Sequence, residues 1–222
     1  MTVPEFPQIA PDTVPWLSIE QMVEADRLAI EEFDIELLQM MEHAGSKLAE
    51  LVDRLSPAGP VVVLAGGGNN GGGGLCSARH LSNRGREVSI VLASEQGGAA
   101  VRHHLHTLTE MGVVPRDDPP DVPVVVDALV GYGLSGPLRG RAADLATWTT
   151  GRFVVSLDFP SGFGQRGGVD PDATLTLALP KEGLRPISPL YLADLGLPAA
   201  LWKRMDLDVG PVFASGGIVA LG

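Results

Sequence analysis

The apolar positions change their rhythm once along the 222-residue chain, near residue 60. Before it, "SIEQMVEADRLAIEEF" (18–33) sets Met22, Ala25, Ala29 and Phe33 on one side of a helical repeat. Leu37, Met41, Ala44, Leu48, Leu51 and Leu55 carry that spacing on to a break at Ser56-Pro57. Ser18 followed by Gln21 is a capping-box pattern, Leu17 and Met22 are its candidate staple, and Asp34 is the expected cap of the second helix. The pattern predicts two amphipathic helices, preceded by a Pro-rich stretch over 1–17 that is expected as an extended arm.

After residue 60 the apolar residues come in short β-branched runs: "VVVLA" (61–65), "EVSIVLA" (87–93), "VPVVVDAL" (122–129), "RFVVSLDF" (152–159) and "ATLTLAL" (173–179). Continuous rather than alternating runs mark strands buried on both faces. Leu75, Ala78 and Leu81 give the segment after the first run an inward helical face with Gly85 as its stop, and 99–112 and 140–149 have the length of crossover helices. Strand–helix alternation of this kind predicts an α/β fold with a mostly parallel sheet, here over 18–222 as one domain.

Composition narrows the function classes. The chain is 45% hydrophobic and 19% charged, enough for a substantial core, and its formal charge of −11 with scattered basic residues does not make the cationic footprint of a nucleic-acid binder. It has neither a basic start followed by an apolar core nor an apolar run of membrane-spanning length, so a soluble cytoplasmic protein is expected, with nucleic acid and membrane excluded as partners. Its one cysteine, Cys76, forms no internal disulfide and reads as a small packed thiol, while His103, His104 and His106 in "VRHHLH" read as a solvated helix face.

Candidate chemistry gathers where strands end. "AGGGNNGGGG" (65–74) follows the first run, and a turn without side chains brings backbone N–H groups close to a pyrophosphate. Asn69 and Asn70 tolerate unusual backbone angles, and Asn70 also carries an amide oxygen able to meet a ligand or cation. Asp127 in "VVVDALVGYGLSG" and Asp158 in "VVSLDFPSG" each close an apolar run, where a carboxylate must be solvated, paired or coordinated. Each alone reads as a turn cap. Together, beside the Gly/Asn turn and Ser161, they read as a ligand site with hard oxygen donors suited to an alkali or alkaline-earth cation.

In their order and spacing, "AGGGNNGGGGLCSARHLSNRGREV", "VDALVGYGLSGPLRG" and "LDFPSG" resemble the NAD(P)H-hydrate epimerase family, the YjeF N-terminal domain. "QMVEADRLAIEEF" and "LLQMMEHAG" are similar to its paired N-terminal helices, and "ATLTLALPKEGL" and "YLADLGLP" to its closing region, so the likeness covers about 18–200. The resemblance implies a three-layer αβα Rossmann-like sandwich, a homodimer, and interconversion of the R and S hydrates NADHX and NADPHX. It implies that Asn69, Asn70, Gly71, Gly72 and Gly73 line the dinucleotide site. Gly131, Tyr132, Gly133, Leu134, Ser135, Gly136 and Pro137 would wrap the phosphates, Asp158 would contact the ligand, and Asn70, Asp127 and Ser161 would hold one potassium ion per subunit.

Inverting the hydroxyl-bearing carbon of a hydrated ring calls for a positioned acid or base, for which Asp158 is the first candidate and Asp127 the second. The chain departs from the family's usual N-N-G-G-D-G at Gly73, and "LASEQGGAA" lacks the lysine that relatives tend to carry there. A catalytically weak or inactive dinucleotide- or nucleoside-binding dimerisation module is therefore the alternative reading. An ordinary dehydrogenase fits less well, because the acidic Glu87 stands at the start of a strand and not at its end.

Overall fold

The computed structural model describes residues 6–56, 58–134 and 136–222. Ser18 caps α1 (Ile19–Glu31) with both halves of the capping box, its hydroxyl accepting the Gln21 N–H (3.2 Å) and its own N–H donating to the Gln21 side chain (2.9 Å). The cap of α2 (Leu37–Leu55) is Glu36 rather than Asp34: the Glu36 N–H donates to the Gln39 side chain (2.6 Å), while Asp34 takes a left-handed conformation (φ 53°) in the turn before it.

The β-branched runs form β2 (Val61–Ala65), β3 (Val88–Leu92), β5 (Val124–Ala128), β6 (Phe153–Leu157) and β7 (Ala173–Leu177), joined by α3 (Asn69–Asn83), α4 (Ala99–Glu110) and α5 (Gly140–Trp148). The shorter strands β1 (Gln8–Ile9), β4 (Pro115–Arg116), β8 (Leu190–Ala193) and β9 (Ile218–Leu221) complete a nine-stranded sheet ordered β1-β9-β8-β7-β6-β5-β2-β3-β4. All neighbours pair parallel except β8 and β9. From β2 the chain steps outward through β3 and β4, then returns to β5 on the other side, so the winding reverses between β2 and β5. Ligands of open parallel sheets bind at such a reversal, beyond the strands' carboxyl ends.

Alternate residues of each strand serve opposite layers. Val61, Val63 and Ala65 share a core with Leu48, Leu51, Leu75 and Leu108 of α2–α4, whereas Val62 and Leu64 pack with Leu145 and Ala146 of α5. Both faces are covered, giving the three layers. The described part of the N-terminal arm is neither wholly extended nor free: Pro11–Thr13 form a 3-10 turn, Gln8 and Ile9 pair with Ala220 and Leu221, and Phe6, Val14 and Leu17 are buried. It is part of the sheet's far edge because those apolar side chains have a surface there to cover.

The glycine run has a use that its composition alone does not reveal. Helix α3 begins at Asn69, so Gly71–Gly74 form its first turns and are buried instead of lying in a loop. A Cβ at Gly71 would stand 1.9 Å from the Gly66 carbonyl oxygen, and one at Gly74 would stand 2.4 Å from the Ala128 Cβ. On the neighbouring helix, a Cβ at Gly45 would meet the Cys76 side chain at 2.6 Å. The glycines let α3 press against the tips of β2 and β5 and against α2, where any side chain would force them apart.

A Gly71→Ala substitution is expected to cost about 1–3 kcal/mol or more through overpacking against backbone. Gly210→Ala, whose Cβ would meet nothing within 4 Å, should stay within about 0.5 kcal/mol of the parent. Urea denaturation of the two variants beside the parent chain checks the contrast.

Candidate functional site

A cleft of about 440 Å³ opens at the winding reversal. Its floor is the β2–α3 turn from Gly67 to Asn70, the Leu129–Gly133 segment after β5, and Asp158 after β6; its roof is Met22 and Asp26 of α1 with Met40 and Met41 of α2. The two N-terminal helices thus supply the roof of the site.

Asp158 sits in a left-handed backbone conformation (φ 64°) at the end of β6, 4% exposed. Such a conformation persists in a residue other than glycine where its surroundings dictate it, and it gathers at functional sites. Here the surroundings are Lys181, whose buried ammonium donates to Asp158 Oδ1 (2.5 Å), Thr176 Oγ1 (3.2 Å) and the Leu177 carbonyl (2.8 Å). All three donor positions of the ammonium are filled. The main chain beside Lys181 is tied in turn by Leu17, whose N–H donates to the Pro180 carbonyl (2.8 Å) and whose carbonyl accepts the Glu182 N–H (3.0 Å).

Asp127 lies beneath the cleft lining, fully buried, rather than on its surface. Its Oδ1 accepts from Leu129 N–H (3.2 Å) and Ser161 Oγ (2.6 Å), and its Oδ2 from Ser156 Oγ (2.8 Å) and Ser161 N–H (2.8 Å). Burial pushes its carboxyl above the ordinary aspartate value, against those hydrogen bonds. Ser161 Oγ also accepts from Val130 N–H (2.9 Å), and the Asn70 amide, in the orientation that satisfies both its ends, donates to the Leu157 carbonyl (3.3 Å) and accepts from Gly131 N–H (3.3 Å). Asp127, Ser161 and Asn70 therefore hold three successive amides, those of Leu129, Val130 and Gly131, and shape the β5 loop among them.

Other sequence candidates separate around this centre. Asn69, Gly73, Gly131, Tyr132 and Gly133 line the cleft. Gly71 packs on Gly66, and Gly72 faces Ala100 and the roof residue Met41; neither glycine is itself part of the cleft lining. Leu134, Gly136 and Pro137 lie beyond that lining, and Ser135 falls outside the described residues. His104 is a correction: it is buried, not solvated, its Nε2 has no hydrogen-bond partner among the described residues, and burial pushes its imidazole down to about 4, while His103 and His106 are exposed. Cys76 is the packed thiol expected, with burial and then Glu42 pushing it up to about 12. Glu42, Cys76 and His80 bring donor atoms within 4.8 Å of one another, an O, S and N set able to hold a metal; Arg79 already lies on all three, bonded to Glu42, 3.6 Å from Cys76 Sγ and 3.3 Å from His80 Nε2.

Sequence reasoning missed Lys181 and Asp26. Both carry a signal in retrospect: Lys181 interrupts an apolar run in "LALPKEGL", and Asp26 follows Met22 by four residues on the inward stripe of α1. Asp26 Oδ2 accepts the Tyr132 hydroxyl (2.9 Å), a bond joining the roof to the β5 loop.

The model of the family described as YjeF-related protein N-terminus matches residues 37–183. The NAD(P)H-hydrate epimerase of Dehalogenimonas lykanthroporepellens is 40% identical over 99% of this chain and 96% of its own length. The NAD(P)H-hydrate epimerase of Truepera radiovictrix is 38% identical over 86% and 94%. A bifunctional NAD(P)H-hydrate repair enzyme of Thermanaerovibrio acidaminovorans is 32% identical over 86% of this chain and 42% of its own length. The crystal structure of the yeast protein YNL200c shares the fold at a TM-score of 0.79 and 24% identity, covering 94% of this chain and all of that one.

Removing one member of a buried ion pair leaves the other uncompensated, at about 3–5 kcal/mol. Lys181→Met is expected to destabilise the protein by about that amount. The double substitution Lys181→Met with Asp158→Asn should recover much of the loss. Denaturation midpoints of the single and double variants check the coupling.

Proposed function

Because the chain belongs to the family of YjeF-related protein N-termini, we propose that it is an NAD(P)H-hydrate epimerase, an isomerase that interconverts the R and S forms of NADHX and NADPHX. The observation that carries the reading is the Asp158–Lys181 pair set at the winding reversal of a parallel sheet, with apolar methionines closing over it. The hydrated nicotinamide ring lies against the methionine roof, and the pyrophosphate meets the β2–α3 turn and the N-terminus of α3, where free N–H groups and the helix dipole favour negative charge. Gly131, Tyr132 and Gly133 follow the phosphates.

Epimerisation breaks and re-forms a bond at the hydroxyl-bearing carbon, so a proton has to move. Asp158 accepts and returns it, held by Lys181 at one oxygen, Oδ1, which leaves Oδ2 to the ligand. Asp127 has no cationic side chain among its hydrogen-bond partners, and the Val130 carbonyl, 3.2 Å from Ser161 Oγ, and the Asn70 amide add further oxygen donors nearby. That donor set fits potassium: Asn70, Asp127 and Ser161 would hold it, and its charge would offset the buried carboxylate. The exposed apolar side chains Ile19, Val23 and Ile30 on α1 support the homodimer, since they have no cover among the described residues.

Incubating the protein with separated hydrate epimers and following them chromatographically tests the reading. Equilibration faster than the spontaneous rate is expected, and Asp158→Asn should lower that rate by about 10²–10⁴-fold while the fold is kept. Folded wild-type protein without acceleration would instead favour the inactive binding module. Exchanging potassium for a bulky organic cation should lower the melting temperature of the parent, and that shift should vanish in Asp127→Asn.

A further inference from the structure

Asp26 is placed in the cleft by two features of α1. It lies one turn from Met22 on the inward face, and the Tyr132 hydroxyl holds its Oδ2 at 2.9 Å, which leaves Oδ1 with no hydrogen bond among the described residues. Glu24, on the same helix, is turned outward to Arg27, so Asp26 is the carboxyl that α1 presents to the cleft. Across the cleft stands Asp158, fixed by Lys181. Two carboxyl groups thus face one cavity in unlike settings, one held by a phenol and the other by an ammonium. Pairs held in unlike environments divide into acid and base.

We infer that Asp26 is the general acid of the reaction, delivering a proton to the departing hydroxyl of the hydrated ring while Tyr132 holds its carboxyl in place. This rests on the epimerase reading. The Asp26 carboxyl gives its proton to the ring hydroxyl, the carbon–oxygen bond breaks with its electrons going to oxygen, and water leaves. The ring nitrogen's lone pair closes a carbon–nitrogen double bond. Water then adds to the other face, the double-bond electrons return to nitrogen, and the proton lost by that water goes back to Asp26, so the enzyme is unchanged and one centre is inverted. That return runs through Asp158, which takes the proton from the incoming water on its own side of the cleft and releases it to solvent, from which Asp26 is reprotonated, so both carboxyl groups regain their starting states.

The acid must carry its proton to act. Burial raises the Asp26 carboxyl above the ordinary aspartate value; the Tyr132 hydrogen bond and the Lys181 charge oppose that rise, and the Asp158 charge adds to it. Tyr132 from the β5 loop, Lys181 after β7 and Asp158 after β6 are the titratable or charged groups that bear on it. The rate should therefore fall as pH rises through the ionisation of Asp26.

The test is the pH profile of epimer equilibration, run in oxygen-18 water, for the parent, Asp26→Asn and Tyr132→Phe. The expected result is uptake of one labelled oxygen per inversion in the parent. Asp26→Asn should lower kcat by about 10²–10⁴-fold with little change in KM, and lose the alkaline limb. Tyr132→Phe removes a bond that favours the ionised carboxyl, so its alkaline limb should move to higher pH. Melting temperatures close to the parent's separate these effects from misfolding. An Asp26→Asn variant with the parent's rate and profile, or one altered only in KM, overturns the inference and leaves the epimerase reading standing. So does inversion without label uptake. A folded parent that does not accelerate equilibration overturns both.

Discussion

The carboxylate of Asp127 is the interaction on which the cleft depends. Placed at the end of a strand with sheet on both sides and helices above and below, it has no water to solvate it, and a buried carboxylate without partners costs several kcal/mol. Its four hydrogen bonds come from the chain that leaves its own strand, from Ser156 on the adjacent strand, and from the turn that carries Ser161. Satisfying that one group draws the β5 and β6 loops together. The side chain that meets the solvent-facing chemistry, Asp158, stands three residues before Ser161 on the loop so fixed. The carboxylate of Asp127 acts as framework, and the cleft-lining Asp158 is hung from it.

Close packing is the second requirement, and it explains a composition that otherwise suggests looseness. Glycine in a helix costs about 1 kcal/mol relative to alanine, so four in succession at the start of α3 are expensive unless geometry demands them. The demand is the approach of α3 to Gly66, Ala128 and Leu157, each within contact of a missing Cβ. Gly73 also opens onto the cleft, and with no side chain there the carboxyls lining the cavity are those of Asp26 and Asp158. The helix N-terminus is thereby brought to the rim of the sheet, where it lines the cleft.

Much of this was legible in the sequence, for a physical reason. Strands buried on both faces leave unbroken apolar runs, and the carboxylates that end them stand out, so β2, β5 and β6 and the positions of Asp127 and Asp158 could be read directly. The short strands β1, β4, β8 and β9 could not, because two to four residues carry too little pattern. Neither could the helical state of Gly71–Gly74, since intrinsic propensity argues against it and only tertiary contact overrides that preference. Asp26 and Lys181 were hidden differently. Each is a lone polar residue whose partner lies far along the chain, Tyr132 for one and Asp158 for the other, and separation of that kind hides the pairing even where the odd residue stands out.

The tie between Leu17 and the main chain around Lys181 bears on the order of assembly. Leu17 leaves the ribosome more than 160 residues ahead of the backbone it must bond, and β1 waits still longer for β9. During synthesis these early segments stay unpartnered, with apolar side chains and strand edges open to wrong neighbours. The cleft is consequently among the last parts of the molecule to come into being, and a nascent chain halted before residue 181 has the sheet's centre but no functioning site.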